Sequence, residues 1–256
     1  QLINSDYDGL IIRRVFSKEL MERACDVLQS PQIREQLCSP NQGMPGGELL
    51  TLGVAATPTF TALNGPDITA YLQSATKAPE WEETLFGDGL VTQRIQRVFS
   101  ALNHNKPAHP APFECSDGES KLVDDTWLPF NYRIFHPGVQ IYSHHDNHYR
   151  LPIYEHLSSD YDREMIFSWF VTAQKPDKGG FLTMYGVSGD DPDVPRLPTR
   201  FVDTATLERE YHKSTLELFA GDLLIFNSKA NIHRVTAVEG ESSRVTFGGF
   251  LTTNQS

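Results

Sequence analysis

The sequence predicts a mostly β protein with supporting helices, an α+β arrangement. Two observations carry this. The C-terminal half holds many short runs rich in aromatic and β-branched residues, punctuated by Gly, Asp and Pro. The N-terminal half instead places apolar residues at helical spacing. Many short strands favour a small barrel or two-sheet sandwich, with helices bracing the outside. We expect one domain over residues 1–256, with 1–125 mainly helical and supporting and 126–256 mainly the β core.

The elements follow in chain order. Phe16, Leu20, Ala24 and Leu28 recur with a helical period, and Pro31 follows as a stop. The Gly- and Pro-rich stretch from Pro40 to Gly47 reads as loop. A short helix is expected from about Asp67 to Ser74, after Pro66. The clearest helix begins near Asp88. Leu90, Val91, Ile95, Val98, Phe99 and Leu102 form an apolar stripe that Arg94 interrupts with a snorkelling side chain, so this helix should face a sheet. The polar run from His104 to Asp125 reads as a covering loop. Strands are expected at Phe130–Phe135, Val139–His144, Met165–Thr172, Phe181–Tyr185, Thr215–Leu218, Leu223–Phe226 and Arg244–Leu251. Gly221-Asp222 suits a tight turn between two of them. Gly186 to Arg200, with Asp190, Asp191, Asp193 and three prolines, reads as an exposed, lid-like loop.

Composition excludes several functions. The chain carries 22 Lys+Arg against 33 Asp+Glu, a formal charge of −11, which argues against general nucleic-acid binding. Its 39% apolar residues suffice for a packed core, so disorder is not expected. No stretch of about 18 apolar residues suggests a membrane span. Cys25, Cys38 and Cys115 are too widely spaced for a disulfide framework or a zinc set, so a reducing, cytoplasmic location is the simpler expectation. No signal peptide or lipidation motif is visible. The chain opens at Gln1 rather than Met, and residues are expected to be missing there.

The most informative segment is Ser143-His144-His145-Asp146-Asn147-His148. On a strand, residues i and i+2 face one side, so His144 and Asp146 can converge on one ion. Imidazole and carboxylate suit a divalent first-row metal, and His233 is the best third ligand. Two histidines and one carboxylate on one face of Fe(II) leave positions for a bidentate cosubstrate and dioxygen. His145 and His148 compete as ligands, and a tetrahedral zinc site built from histidines is the alternative.

With the downstream residues added, the sequence resembles the Fe(II)- and 2-oxoglutarate-dependent oxygenases, in their prolyl-hydroxylase-like branch. The resemblance lies in the ordered set His144-x-Asp146, His233 and Arg244-x-Thr246. Tyr132 to Gly138 looks like the strand and Pro-Gly turn before the metal motif, Gly179 to Thr183 like the Gly-Gly strand, and Ala220 to Phe226 like the turn before the distal histidine. The likeness covers roughly Phe130 to Leu251. It implies a double-stranded β-helix, a jelly-roll or cupin-like core. It implies that His144, Asp146 and His233 ligate Fe(II), and that 2-oxoglutarate and dioxygen are cosubstrates. It also implies that Arg244 holds the distal carboxylate of 2-oxoglutarate, a role matched by the bidentate fork of a guanidinium. In isolation Arg244 would equally suit pairing with a protein carboxylate. Thr246, two residues on, offers a further hydroxyl on the same strand face.

Tyr142 shares parity with His144, and Tyr132 is a second tyrosine able to reach a cosubstrate oxygen, although both also suit core packing. Asn147, His148 and Arg150 follow the ligand pair and are candidate substrate contacts, and Trp169 is a candidate cavity wall. The resemblance implies oxidative decarboxylation of 2-oxoglutarate to succinate, coupled to hydroxylation of an unactivated C–H bond. Halogenases of this superfamily look like versions with Gly or Ala in place of the carboxylate ligand, so Asp146 favours hydroxylation. Desaturation, epimerisation and ring closure start from the same hydrogen abstraction. A small molecule, such as a free amino acid or a natural-product intermediate, is the expected substrate. A peptidyl, prolyl-type hydroxylase and a non-catalytic cupin-like binding protein are the alternatives. Oligomeric state is not legible.

Overall fold

The computed structural model describes residues 7–40, 47–54, 69–87, 90–103, 108–109, 130–146, 161–198 and 202–254. Among these, the strands in chain order are β1 (Gly9–Ile12), β2 (Leu49–Leu52), β3 (Ala108–His109), β4 (Asn131–Phe135), β5 (Ile141–His144), β6 (Tyr161–Gln174) and β7 (Lys178–Gly179). They continue with β8 (Leu182–Ser188), β9 (Lys213–Leu216), β10 (Leu223–Phe226), β11 (Asn231–Val235), β12 (Val238–Glu239) and β13 (Arg244–Asn254). The helices are α1 (Lys18–Leu28), α2 (Pro31–Arg34), α3 (Thr69–Phe86), α4 (Leu90–Leu102) and α5 (Thr204–Glu210).

The larger sheet has the order β1-β10-β6-β13-β4-β2, with β3 added beside β13. The smaller sheet is β5-β11-β8-β9, and β12 pairs with β7. Every ladder is antiparallel. Residues of both sheets share one cluster, in which Leu182, Met184 and Val235 of the smaller sheet meet Leu224 and Phe226 of the larger. The two sheets thus face one another as a jelly roll.

Strand parity builds the layers. On β10, Leu223 and Ile225 join the core beneath the helices, whereas Leu224 and Phe226 point between the sheets. All four are buried, which explains an unbroken apolar run rather than an alternating one. The helical layer contributes Met21 and Leu28 of α1, Trp81 and Leu85 of α3, and Ile95 and Phe99 of α4 to the outer core. Ser17 caps α1, its hydroxyl accepting from the Leu20 N–H.

Several elements differ from expectation. Pro31 opens α2 at its first turn, where its missing N–H costs nothing. The helix expected to end near Ser74 runs on to Phe86, through Pro79. Burial of Tyr71, Ala75, Ala78, Trp81, Leu85 and Phe86 outweighs a proline cost of about 3 kcal/mol. The N-terminal part is not purely helical, since β1 and β2 form the edges of the larger sheet. Their sequences, GLII and LLTL, are short and show little alternation, so periodicity does not flag them. The strand expected at Thr215–Leu218 lies at Lys213–Leu216, because the chain then turns and the Phe219 N–H donates to Asp222 Oδ2 at 2.9 Å. Gly221 closes that turn at φ +86°, and a Cβ there would collide with the Phe16 carbonyl oxygen. No helix among the described residues is long and apolar enough to cross a membrane.

Candidate metal centre

His144 ends β5 and stands directly opposite His233 of β11 in the ladder, with ring centroids 4.4 Å apart. Asp146 lies just past the strand, where its N–H donates to the Ser228 carbonyl at 2.9 Å. Its carboxylate closes the set: Oδ1 is 3.6 Å from His144 Nε2, and Oδ2 is 3.7 Å from His233 Nε2. One ligand atom from each residue lies within 4.8 Å of the others. Bonds of about 2.1 Å to an octahedral ion would draw neighbouring ligand atoms to about 3 Å, a small closure.

The rings are oriented for the task. His144 Nδ1 is 2.7 Å from the Tyr142 carbonyl, and His233 Nδ1 is 3.0 Å from the Asn231 carbonyl. A carbonyl only accepts, so both Nδ1 atoms carry the proton and both Nε2 lone pairs face Asp146. Ser168 Oγ donates to Asp146 Oδ2 at 2.6 Å and shares a 2.7 Å hydrogen bond with Ser228 Oγ. That buried pair fixes the carboxylate plane. Farther out, Thr204 of α5 donates to Ser143 Oγ at 2.8 Å, and Arg234 donates to Glu208 Oε1 at 2.6 Å. One short helix thereby braces the residue beside each histidine ligand.

The inward face of the larger sheet is polar. Arg244 is buried, with its guanidinium carbon 4.8 Å from the Phe135 ring centroid and 5.0 Å from that of Phe170. It lines a cavity with Thr172, Gly180, Leu182 and Leu218. Burial, followed by the nearby Arg133 charge, pushes its pKa down to about 9. Among the described residues no carboxylate lies within 4.0 Å of this guanidinium, so none of the described acids pairs with it. Thr246 is buried on the same face, opposite Arg133 on β4 and Thr172 on β6.

Other candidates fall elsewhere. Tyr132 is opposite Phe247 in the ladder, and its ring packs against Phe86, Phe130 and Phe247 in the helix-facing core. It therefore lies on the far side of the sheet from Arg244 and does not line that cavity. Trp169 shares that outer face, edge-on to Phe99 and Phe130, and is not a cavity wall. Tyr142 is 64% exposed, so its ring is open to solvent rather than enclosed beside His144. His145 packs its ring against Gly189 and stays outside the ligand group, which removes it from the histidine-only zinc alternative. Asn147, His148 and Arg150 lie outside the described residues.

Three inward residues were not singled out from sequence: Asn131, Arg133 and Ser168. The available signal was Arg133, a charge at the centre of the strand Asn131-Tyr132-Arg133-Ile134-Phe135, where a purely structural strand would carry an apolar residue.

Two imidazoles and one carboxylate on a jelly-roll scaffold fit Fe(II) with open coordination positions. The buried Arg244 cation fits the distal carboxylate of 2-oxoglutarate. The chain is an Fe(II)- and 2-oxoglutarate-dependent oxygenase.

Comparison with solved structures supports the fold. An N-substituted L-amino acid dioxygenase from Burkholderia ambifaria AMMD aligns with TM-score 0.53 and 19% identity, covering 97% of this chain and 84% of the other. The carbocyclase SnoK from nogalamycin biosynthesis aligns with TM-score 0.55 and 14% identity, over 99% and 83%. A prolyl hydroxylase from Trichoplax adhaerens, bound to a hypoxia inducible factor peptide, aligns with TM-score 0.53 and 9% identity, over 99% and 87%. A search of curated proteins finds no match. Residues 1–256 match the family described as carrier-protein-independent halogenase WelO5, and the chain belongs to that family.

Proposed function

We propose that this chain hydroxylates an unactivated C–H bond of a small molecule, a free amino acid or a natural-product intermediate, and does not halogenate it. The observation that carries this reading is Asp146. In the halogenases of the superfamily, Gly or Ala at the carboxylate position leaves room for a halide. Here Asp146 Oδ1 and Oδ2 lie 3.6 and 3.7 Å from the two imidazole Nε2 atoms, and Ser168 holds the carboxylate in place. The family's name and this chain's ligand set therefore point to different outcomes, and the ligand set is the physical determinant. The amino-acid dioxygenase and the carbocyclase of the comparisons lend support to a small substrate.

Bound Fe(II) and 2-oxoglutarate supply the oxidant. The protein's own part is positioning. His144, His233 and Asp146 would hold the iron through two imidazoles and one carboxylate. Arg244, flanked by Phe135 and Phe170, aligns the oxo acid from its distal end and keeps water from that end of the cavity. The Trichoplax structure favours a second reading, a prolyl-hydroxylase-like enzyme acting on a peptide.

Anaerobic addition of Fe(II) and 2-oxoglutarate should give a weak visible charge-transfer band. Oxygen with amino acids, natural-product intermediates or proline-containing peptides should then give succinate for one class alone. With chloride present, the expected product gains one oxygen atom. A chlorinated product would overturn the reading, as would absence of the band in folded protein.

A further inference from the structure

We propose that Glu208 is a positioning residue for the metal centre. With Thr204, one turn earlier on α5, it fixes the two histidine-bearing strands against each other from the outer face of the smaller sheet, and so sets the spread of the His144 and His233 imidazoles. This rests on those two residues and Asp146 holding the metal.

The ligand strands need such a tie. β5 is the edge of the smaller sheet, with β11 as its neighbour. Their ladder pairs His233 with His144 and Val235 with Ile141, so Tyr142 and Ser143 together face Arg234 alone. That is a bulge, one extra residue placed immediately before a ligand. A bulge interrupts the ladder hydrogen bonds and re-aims the side chains beside it. His233 is flanked on its other side by Met184 of β8, whereas His144 sits on the edge. The ladder therefore holds His144 less firmly than His233.

The outer face supplies what the ladder lacks. Ser143 is buried, and its Oγ accepts from Thr204 Oγ1 at 2.8 Å. Arg234 donates to Glu208 Oε1 at 2.6 Å. Tyr185 of β8 donates to the same oxygen at 2.5 Å, and Lys213 pairs with the other. Thr204 and Glu208 are four residues apart and share one helix face. Through them α5 grips β5, β11 and β8, three consecutive strands of the sheet. Both contacts on the ligand strands land on residues next to a ligand, since Ser143 precedes His144 and Arg234 follows His233. The helix is seated firmly enough to act as a clamp. Asp203 caps it, accepting from the Ala205 and Thr206 N–H groups, and Leu207 joins the buried cluster of Tyr185, Val187 and Ile232. Burial alone would raise the Glu208 pKa, but hydrogen bonds from Lys213 and Tyr185 and the Arg234 charge hold it below the ordinary carboxylate value. The acceptor is thus ionised, which makes its bonds to Arg234 and Tyr185 the stronger, charge-assisted kind.

The test titrates Co(II) alone, without oxygen, into the full chain. Affinity and the visible bands that report ligand geometry are the readouts. Glu208→Leu should shift the bands and weaken Co(II) about three- to tenfold, less than the loss of a direct partner of a ligand. Glu208→Gln keeps an acceptor oxygen for Arg234 and Tyr185, so it should restore the parent bands. Thr204→Val deletes the Ser143 contact at nearly constant shape and should shift the bands by a smaller amount. It decides the matter if Glu208→Leu does not fold. Leu207→Ala should lower the melting temperature and leave the bands of the folded protein in place. Unchanged affinity and bands in folded Glu208→Leu and Thr204→Val would overturn the positioning role. So would a shift in Leu207→Ala as large as in Glu208→Leu, or a Glu208→Gln variant no closer to the parent than Glu208→Leu. Failure of the parent protein to bind Co(II) would instead overturn the metal-centre assignment.

Discussion

The two faces of the larger sheet are built from alternate residues of the same strands, yet they have opposite characters. Outward on β4, β6 and β13 stand Tyr132, Ile134, Trp169, Val171, Val245 and Phe247, all within the helix-side core. Inward stand Asn131, Arg133, Ser168, Thr172, Arg244 and Thr246. The outer face is held by packing, and its Tyr132 hydroxyl and Trp169 Nε1 have no hydrogen-bond partner among the described residues. The inner face carries donors and cations that the described residues do not fully satisfy. The difference teaches that stability and chemistry are separated here by one residue of register, so the same strand can be probed for either.

The outer face should show the larger stability effect. The Phe247 ring lies 5.3 Å from Phe86, 5.4 Å from Phe130 and 6.0 Å from Phe16, centroid to centroid. Phe247→Ala should cost about 3–5 kcal/mol in chemical denaturation. The fraction that remains folded should bind 2-oxoglutarate almost as the parent does. A collapse of cosubstrate affinity without loss of stability would break the separation of the faces.

The inner face should show the reverse. Arg244→Met should weaken 2-oxoglutarate binding by about 2–5 kcal/mol, the cost of deleting one partner of a buried charge pair. Stability without ligand should hold or rise, because a buried cation with no carboxylate partner among the described residues is removed. The pH profile sharpens the point. Burial and the Arg133 charge bring the Arg244 pKa to about 9. The cation is present below that value and is lost as pH rises through it. Affinity for 2-oxoglutarate in the parent should be flat through neutral pH and fall above about pH 9, and the Met variant should lack that fall. Calorimetry across pH 7–10 checks both.

A smaller effect is expected at the layer behind the ligands. Ser168→Ala removes the hydroxyl 2.6 Å from Asp146 Oδ2. Affinity for Fe(II) or Mn(II) should drop about 10–100-fold, the usual scale for a partner of a metal ligand. The far-ultraviolet spectrum should not change. An undiminished metal affinity would show that Ser228 alone orients the carboxylate.

The comparison also explains what was legible in the sequence. The convergence of His144, Asp146 and His233 was readable because ligand chemistry and spacing coincide, and the strand Leu223–Phe226 was readable because it is apolar at every position. Parity along β4 was equally visible, since Tyr132 and Arg133 must face opposite ways. Sequence does not say which face is the inside. Aromatic residues are ordinary in barrel interiors, so Tyr132 and Trp169 suit cavity walls from sequence, and nothing in the sequence says that Arg133 points inward. The helices reverse that expectation, because α3 and α4 supply an apolar layer outside the sheet that takes up the aromatic rings. The edge strands β1 and β2 were hidden for another reason. Each pairs with a strand distant in sequence, β1 with β10 and β2 with β4, and no local pattern records such a pairing.

The smallest expected effect tests the assignment of faces most directly. Tyr132 is 4% exposed, and its hydroxyl is buried without a partner among the described residues. Burial, then the Glu82 charge, holds its pKa well above the ordinary value, so it stays a neutral phenol throughout the working range. Tyr132→Phe keeps the ring and its contacts with Phe86, Phe130 and Phe247 and deletes only the hydroxyl. If the hydroxyl belongs to the outer core, the variant should be as stable as the parent or gain about 1 kcal/mol, with a melting temperature higher by about 2–4 °C. Its affinity for 2-oxoglutarate should be unchanged. If the hydroxyl instead reaches the cosubstrate, stability will hold but affinity will drop, and the assignment of Tyr132 to the helix side of the sheet fails.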